Sequence, residues 1–323
     1  MKYSKKYNVI VVGAGHAGIE ASLMSAKLGL KTLCLTINID HIGEMSCNPS
    51  IGGIAKGIVV REIDVLGGEM AKAIDLTGIQ YRMLNLSKGP AVWAPRAQAD
   101  KVDYSLYMRS KLEEQENLDL IQDCVENLWI DQDRLKGVIT ERGVYFEADS
   151  VILTTGTFLR GLIHIGSYQE QAGRFGDKAS MGLSASLKKL GFDVGRMKTG
   201  TPARIHADSI DFEKIEKQEN QTNKFSFSYF TKEPPFSKIN CHITYTNENT
   251  HQVIRDNLEK SPLYGTKVIE GVGPRYCPSL EDKVVKFGHK NRHQLFLEPE
   301  SLHNKSVYVN GMSSSLPEDV QYE

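Results

Sequence analysis

The 323-residue chain has little that would commit it to a specialised class. Its five cysteines, Cys34, Cys47, Cys124, Cys241 and Cys277, lie far apart and form no C-x-x-C pair. That spacing excludes a zinc ribbon or a disulfide framework and fits a reducing compartment. No ligand spacing for a metal is visible, and no repeat or low-complexity segment. No stretch approaches the ~18 apolar residues of a spanning helix. The basic head "MKYSKKYNVIVVG" runs into glycines with no small-residue cleavage site, so it does not read as a secretory leader. A cytoplasmic location with no membrane contact is expected. The net charge is −1, so any nucleic-acid partner must meet a local basic face. With 40% hydrophobic and 24% charged residues, the composition is that of an ordinary globular protein. The length allows one large or two modest domains.

What is present begins at Tyr7. "YNVIVVGAGHAGIEASLMSAKLGLKTLCLT" reads as strand, tight turn, helix and strand. Asn8 to Val12 is the first strand, a helix follows to Leu28, Gly29 ends it, and Lys31 to Thr36 is the second strand. Gly13, Gly15 and Gly18 supply G-x-G-x-x-G, the dinucleotide fingerprint. Gly13 makes the turn, Gly15 lets the backbone approach a pyrophosphate, and Gly18 lets helix meet strand. The helix N-terminus faces the phosphates, so Gly13, Ala14, Gly15, His16, Ala17 and Gly18 are the candidate loop. The acid expected about 20 residues on, to bind a ribose hydroxyl, is missing; Thr36, Asn38 and Asp40 stand in its place.

"ADSVILTTGTFLRG" adds a strand over Ser150 to Thr154 that ends in a small-residue turn. Before it, strand-like runs with turns at Asp131–Arg134 and Arg142–Gly143 read as a β-meander. Val125 follows a strand, where a backbone meets an adenine. The fold class is therefore α/β, with a Rossmann-like FAD-binding domain of the two-dinucleotide-binding flavoprotein type.

"EMSCNPSIGG" places Cys47 before Pro49 and Ser50, with Ile51, Ile54, Ala55, Ile58, Val59, Ile63 and Leu66 following at helical spacing. Ser50 is the expected N-cap, so Cys47 stands just before a helix N-terminus, where the dipole favours a thiolate. "GPRYCPSLEDKVVKF" repeats the arrangement, with Cys277 before a Ser279–Asp282 capping box and Arg275 and Lys283 close by. Cys47 and Cys277 are the candidate catalytic thiols. Cys34, Cys124 and Cys241 read as buried small hydrophobes.

These residues closely resemble the MnmG (GidA) family, flavoproteins that make 5-carboxymethylaminomethyluridine at the tRNA wobble position. "GAGHAG", "MSCNPSIGGIAKG", "LGGEMAKAIDLTGIQYRMLN", "SKGPAVWAPRAQADK", "LTTGTFLRG", "GRMKTGTPARI", "TYTNENTH" and "VIEGVGPRYCPSLEDKV" follow the family pattern in order, from Tyr7 to Gln321. The resemblance implies FAD on Gly13 to Gly18, with Val125 and Ser180 as further contacts. It implies NADH near Gly273, Pro274, Arg275, Tyr276, Lys283 and Phe287, and a reduced folate as methylene donor. It also implies tRNA as substrate, a homodimer, and a GTPase partner of the MnmE type. In that chemistry a thiolate adds to C6 of uracil and makes C5 nucleophilic, and Cys47 and Cys277 suit the nucleophile and the acid/base in either order.

Relatives continue past "NGMSSSLPEDVQYE", so the flavin domain is expected to lack its C-terminal part. Residues 1–199 are expected to form the first part of that domain. Residues 200–280 are expected to form an inserted α/β domain on the NADH and tRNA side, and residues 281–323 to return to the first. Arg82, Lys88, Arg96 and Lys101 frame a loop read as facing RNA or flavin. Arg196, Lys198 and Arg204 form a second basic group, and Lys283, Lys286, Lys290 and Arg292 a third. Two other functions fit the same residues: an FAD/NADH disulfide oxidoreductase with Cys47 and Cys277 as the redox pair, and a non-catalytic binding fragment.

Overall fold

The β-branched run before Gly13 can only be satisfied inside a sheet, and it forms a central strand. The computed structural model describes residues 1–221, 225–271, 273 and 278–323. The chain opens with β1 (Lys2–Val12), α1 (His16–Lys27) and β2 (Thr32–Thr36). An excursion follows through β3 (Ser50–Gly52), α2 (Lys56–Val65), α3 (Met70–Thr77), β4 (Gly78–Leu84), β5 (Ala94–Ala99) and α4 (Lys101–Glu114). The chain returns through β6 (Leu118–Gln122), β7 (Val125–Asp131), β8 (Arg134–Thr140) and β9 (Tyr145–Leu153).

Six of these strands form one sheet in the order β6-β2-β1-β9-β8-β7. β6, β2, β1 and β9 are parallel, and β8 and β7 continue antiparallel as the expected meander. The parallel part has the strand order of a dinucleotide-binding half. One face buries Ile19, Leu23, Tyr104, Met108 and Leu112 of α1 and α4. The other buries Tyr7, Ile10, Leu33, Leu35, Val138 and Phe146. Each such side chain contributes about 1.5–3 kcal/mol through the water it sheds. β1 starts earlier than the apolar run suggests. Its polar head pairs with β9, and Lys2 and Lys6 meet Glu147 and Asp149 across the strands.

β3, β5 and β4 make a separate antiparallel sheet. After β9 come two hairpins, β10 (Ile163–Ile165) with β11 (Tyr168–Glu170) and β12 (Ala172–Arg174) with β13 (Asp177–Lys178), and then α5 (Leu183–Lys189).

The rest is built on β14 (Arg204–His206), β15 (Glu216–Gln218), β16 (Cys241–Tyr245), α6 (Glu248–Asp256), α7 (Leu280–Lys286), β17 (Gln294–Pro299), β18 (Ser306–Asn310) and α8 (Glu318–Tyr322). Its sheet is antiparallel, in the order β14-β18-β17-β16-β15. The expected return to the first unit at residue 281 therefore does not occur there. β17 and β18 pair with β16 and β14, because alternating Leu295, Leu297, Val307 and Val309 fill the core of this second sheet. α6, α7 and α8 close it around Ile254, Leu280, Val284 and Val320.

The two units are stitched together. Phe227 is fully buried in the core of the first unit. Asp75 accepts from the Phe227 and Ser228 amides at 2.8 and 2.9 Å and from the Thr231 hydroxyl at 2.6 Å. Among the described residues no helix is long and apolar enough to cross a membrane.

Candidate functional site

At the end of β1 the backbone turns at Gly13, with φ +107°; a β-carbon there would lie 2.5 Å from the Thr154 carbonyl oxygen. Packing also forces Gly18, since a β-carbon there would meet the Gly13 carbonyl oxygen at 1.7 Å. Gly15 is different. It is the N-cap of α1 and makes no side-chain cap, and a β-carbon on it would have nothing within 4 Å. The first-turn amides of an α-helix have no acceptor within the helix. Here they point past a residue whose missing side chain leaves the approach open, a cradle that suits an anion. Ala14 is buried and Ala17 exposed. His16 stands edge-on to Tyr104, ring centroids 5.6 Å apart, and burial lowers its pKa below the usual imidazole range.

The loop opens into a cavity at the C-terminal ends of the parallel strands, where such folds bind ligands. Val12 to Gly15, Leu35 to Asn38, Asp123 to Val125, Thr154 to Gly156 and Ser180 all line it. Gly13, Ala14, Gly15, Val125 and Ser180 are thus brought together from across the sequence. Ser180 fixes this wall by donating its hydroxyl to the Val125 carbonyl at 3.0 Å. Thr154 locks the turn with a hydroxyl bond to the Val12 carbonyl at 2.9 Å.

At the end of β2, Asn38 lines the cavity. Its side-chain oxygen is occupied by the Asp40 amide at 2.9 Å, and its NH2 faces His41 at 3.2 Å. Asp40 turns outward and pairs with Arg109 at 2.7 Å. The acidic groups that do line the cavity are Glu44, Asp123 and Asp177. Asp177 bonds His41 at 2.9 Å, across 136 residues. Sequence reasoning missed all three. Only Asp123 carries a local signal, two residues before Val125.

Cys47 lies elsewhere. It is exposed, with Sγ 3.5 Å from the Tyr308 hydroxyl of β18 and 3.6 Å from the Gly200 carbonyl oxygen. The expected Ser50 cap does not form. Ser50 opens β3, which pairs with β5, Ile51 is buried there, and α2 begins only at Lys56. A β-carbon on Gly52, at φ +87°, would lie 2.2 Å from the Pro95 carbonyl oxygen, and the Gly53 amide donates to that oxygen at 2.8 Å, so β5 claims the chain where a helix was expected. The N-terminus of α2 thus lies nine residues beyond Cys47 along the chain. Nor is the expected apolar face the buried one. α2 buries Gly57, Val60 and Asp64 and exposes Ile58, Val59 and Val65.

The second thiol, Cys277, lies outside the described residues, as do Pro274, Arg275 and Tyr276. The capping box after it does form: the Ser279 hydroxyl accepts from the Asp282 amide at 3.1 Å, and the Asp282 carboxylate accepts from the Ser279 amide at 3.1 Å. Burial pushes the Asp282 carboxyl up, but bonds from Lys286, Tyr264 and the Ser279 amide, with Lys198 nearby, hold it well below the usual range. Lys283 donates to the Gly311 carbonyl at 2.7 Å. Gly273 and Phe287 are exposed. Gly273, Lys283 and Phe287 do not line the glycine-loop cavity.

The other described cysteines are buried as expected. Burial pushes Cys34 up to about 11 and Cys124 and Cys241 to about 12. The basic groups divide: Arg196, Lys286, Lys290 and Arg292 are exposed, while others are half-buried against acids. Arg96 pairs with buried Glu298, and Lys101 and Arg204 with buried Glu300 at 3.2 and 3.1 Å. Lys198 and Lys286 both pair with Asp282. Arg292 stacks on Tyr245, 4.1 Å from the ring centroid. In the first loop Lys88 is exposed.

A family model described as "Glucose inhibited division protein A" matches residues 8–323. The chain is 57% identical over 321 residues to the tRNA uridine 5-carboxymethylaminomethyl modification enzyme MnmG of Protochlamydia amoebophila, a match covering 99% of this chain and 51% of that protein. It is 56% identical to the protein of the same description from Thermodesulfovibrio yellowstonii, with the same coverage. Among solved structures, Aquifex aeolicus GidA in its form I crystal superposes with a TM-score of 0.93 at 50% identity, covering 98% of this chain and 54% of that one. The chain spans about half the length of the curated relatives it matches.

Proposed function

This chain belongs to the glucose inhibited division protein A family, and on that premise we propose that it forms the flavin-binding part of an enzyme that modifies C5 of the tRNA wobble uridine, adding a carboxymethylaminomethyl or aminomethyl group. The observation that carries this reading is the cavity at the strand ends, with Gly15 open toward it and Val125 and Ser180 in its wall. That make-up fits FAD: the α1 amides and Gly15 would hold the pyrophosphate, and the Val125 backbone would meet the adenine. When bound, FAD supplies the two-electron chemistry that NADH renews, with a reduced folate as the source of the one-carbon unit.

This chain's own residues act on the uridine. A thiolate, Cys47 or Cys277, forms a bond to C6, and the C5–C6 electron pair moves onto the O4 carbonyl. The resulting enolate attacks, through C5, a one-carbon unit at the iminium level, whose C=N π electrons pass to nitrogen. The other cysteine, as its thiolate, takes the C5 proton, and the C6–S bond breaks to release the first thiolate as the C5–C6 double bond re-forms. Exposure of Cys47 supports such a role, since a nucleophile must be reached. A homodimer, an MnmE-type GTPase and tRNA are the partners this reading names. The test uses the full-length protein carrying this region. Gly15→Val should abolish its flavin absorbance while it stays folded, and retained stoichiometric flavin would remove the assignment.

A further inference from the structure

Cys47 is held by both units. Its loop is pinned at one end, where the Pro49 carbonyl accepts from the Ala99 amide at 2.8 Å. At the other end Arg204 of β14 donates to the carbonyls of Ser46 and Cys47 at 2.9 and 3.2 Å. The guanidinium of Arg204 also lies 4.8 Å from the ring centroid of Tyr308, its cross-strand partner on β18. Arg204 is fixed in turn by buried Glu300 at 3.1 Å, and Tyr308 also pairs in register with Glu298 on β17. The end of this chain of contacts is the Tyr308 hydroxyl, 3.5 Å from Cys47 Sγ.

We propose that Tyr308 is a positioning residue for Cys47, which orients its sulfur and donates a hydrogen bond to the thiolate. The ring is buried and locked between β14 and β17, so its hydroxyl has a fixed direction. Sulfur, on an exposed loop, supplies the partner. Burial, together with the adjacent thiol, raises the Tyr308 pKa well above the usual phenol range, so the phenol keeps its proton when the thiol loses one. It serves as a donor and not as a base. Among the described residues, the charged and titratable groups around the pair are Arg204 on β14, Glu298 on β17, Glu300 just after it and Tyr308 on β18. Arg204 is the cation among them, and the two glutamates are already engaged by Arg96, Lys101 and Arg204. A hydrogen bond to an ionised group is among the stronger ones.

This inference deepens the proposed function and rests on Cys47 reacting as a thiolate, but its test does not need tRNA. Alkylation of Cys47 by iodoacetamide is followed against pH in the full-length protein, with the Cys47 peptide read by mass spectrometry. Tyr308→Phe keeps the ring against Arg204 and removes only the hydroxyl. Its alkylation midpoint should move to higher pH, with a roughly tenfold loss of reactivity at neutral pH. An unchanged midpoint, or faster alkylation at every pH from a loosened loop, would overturn the proposal. If Tyr308→Phe does not fold, 3-fluorotyrosine at position 308 keeps the hydroxyl and makes it a better donor. The midpoint should then fall, and no movement would overturn the proposal equally. Should Cys47→Ser still modify tRNA while the midpoint shift is seen, the functional reading fails and the Tyr308–Cys47 relation stands.

Discussion

Gly18 sits so close against Gly13 that a β-carbon on it would lie 1.7 Å from the Gly13 carbonyl oxygen, whereas one on Gly15 would meet nothing within 4 Å. The two glycines therefore answer to different demands, one from the fold and one from a ligand. Gly18→Ala should destabilise the unit, because backbone must move to admit the methyl. Gly15→Ala should leave thermal stability close to wild type and weaken flavin binding. Melting curves and flavin content of the purified variants separate the two.

That division was readable in the sequence, since G-x-G-x-x-G between a strand and a helix prescribes it. The meander turns and the Ser279–Asp282 box were readable for the same reason: each is a local pattern with a local cause. The Cys47 loop was not. "CNPSIGG" offers a good N-cap, but Ser50 to Gly52 is claimed by β5 more than forty residues on, and the helix waits until Lys56. The same non-local pairing moved residues 294–310 into the second sheet. It also makes Arg96, Lys101 and Arg204 tethers on Glu298 and Glu300.

Those tethers carry a stability prediction. Glu300 is fully buried and accepts from Arg204 and from Ser306, besides pairing with Lys101. Glu300→Gln leaves two partly buried cations without their counter-charge and should cost about 3 kcal/mol. Denaturant titration of the variant against wild type measures it, and a loss under 1 kcal/mol would show that water already solvates the pair.

Asp282 predicts a pH effect with a definite sign. Its folded-state pKa is held below the ordinary 3.8, so the ionised carboxylate contributes stability above the ordinary value, lost as pH falls through the lower folded one. Asp282→Asn should lower stability by about 1 kcal/mol at neutral pH, as expected for a lost cap. The gap to wild type should narrow as pH drops below the ordinary aspartate range. A gap independent of pH would show that charge plays no part in the capping box.

RNA contact, under the proposed function, must rest on cations that the fold has not already used. Lys88 is exposed on the loop between β4 and β5. Lys88→Ala in the full-length protein should weaken tRNA binding and reduce the slope of log affinity against log salt by about one. An unaltered slope would place the RNA on another face.

The central proposal is that Cys47 takes part in the uridine chemistry, as nucleophile or as acid/base, while the flavin site does not depend on it. The most direct measurement is the wobble-nucleoside content of tRNA modified by full-length Cys47→Ser protein, taken with its flavin content. The account predicts full flavin and no modified nucleoside, because a serine hydroxyl is too weakly acidic to replace a thiolate at neutral pH. Modified nucleoside at the wild-type level would contradict it.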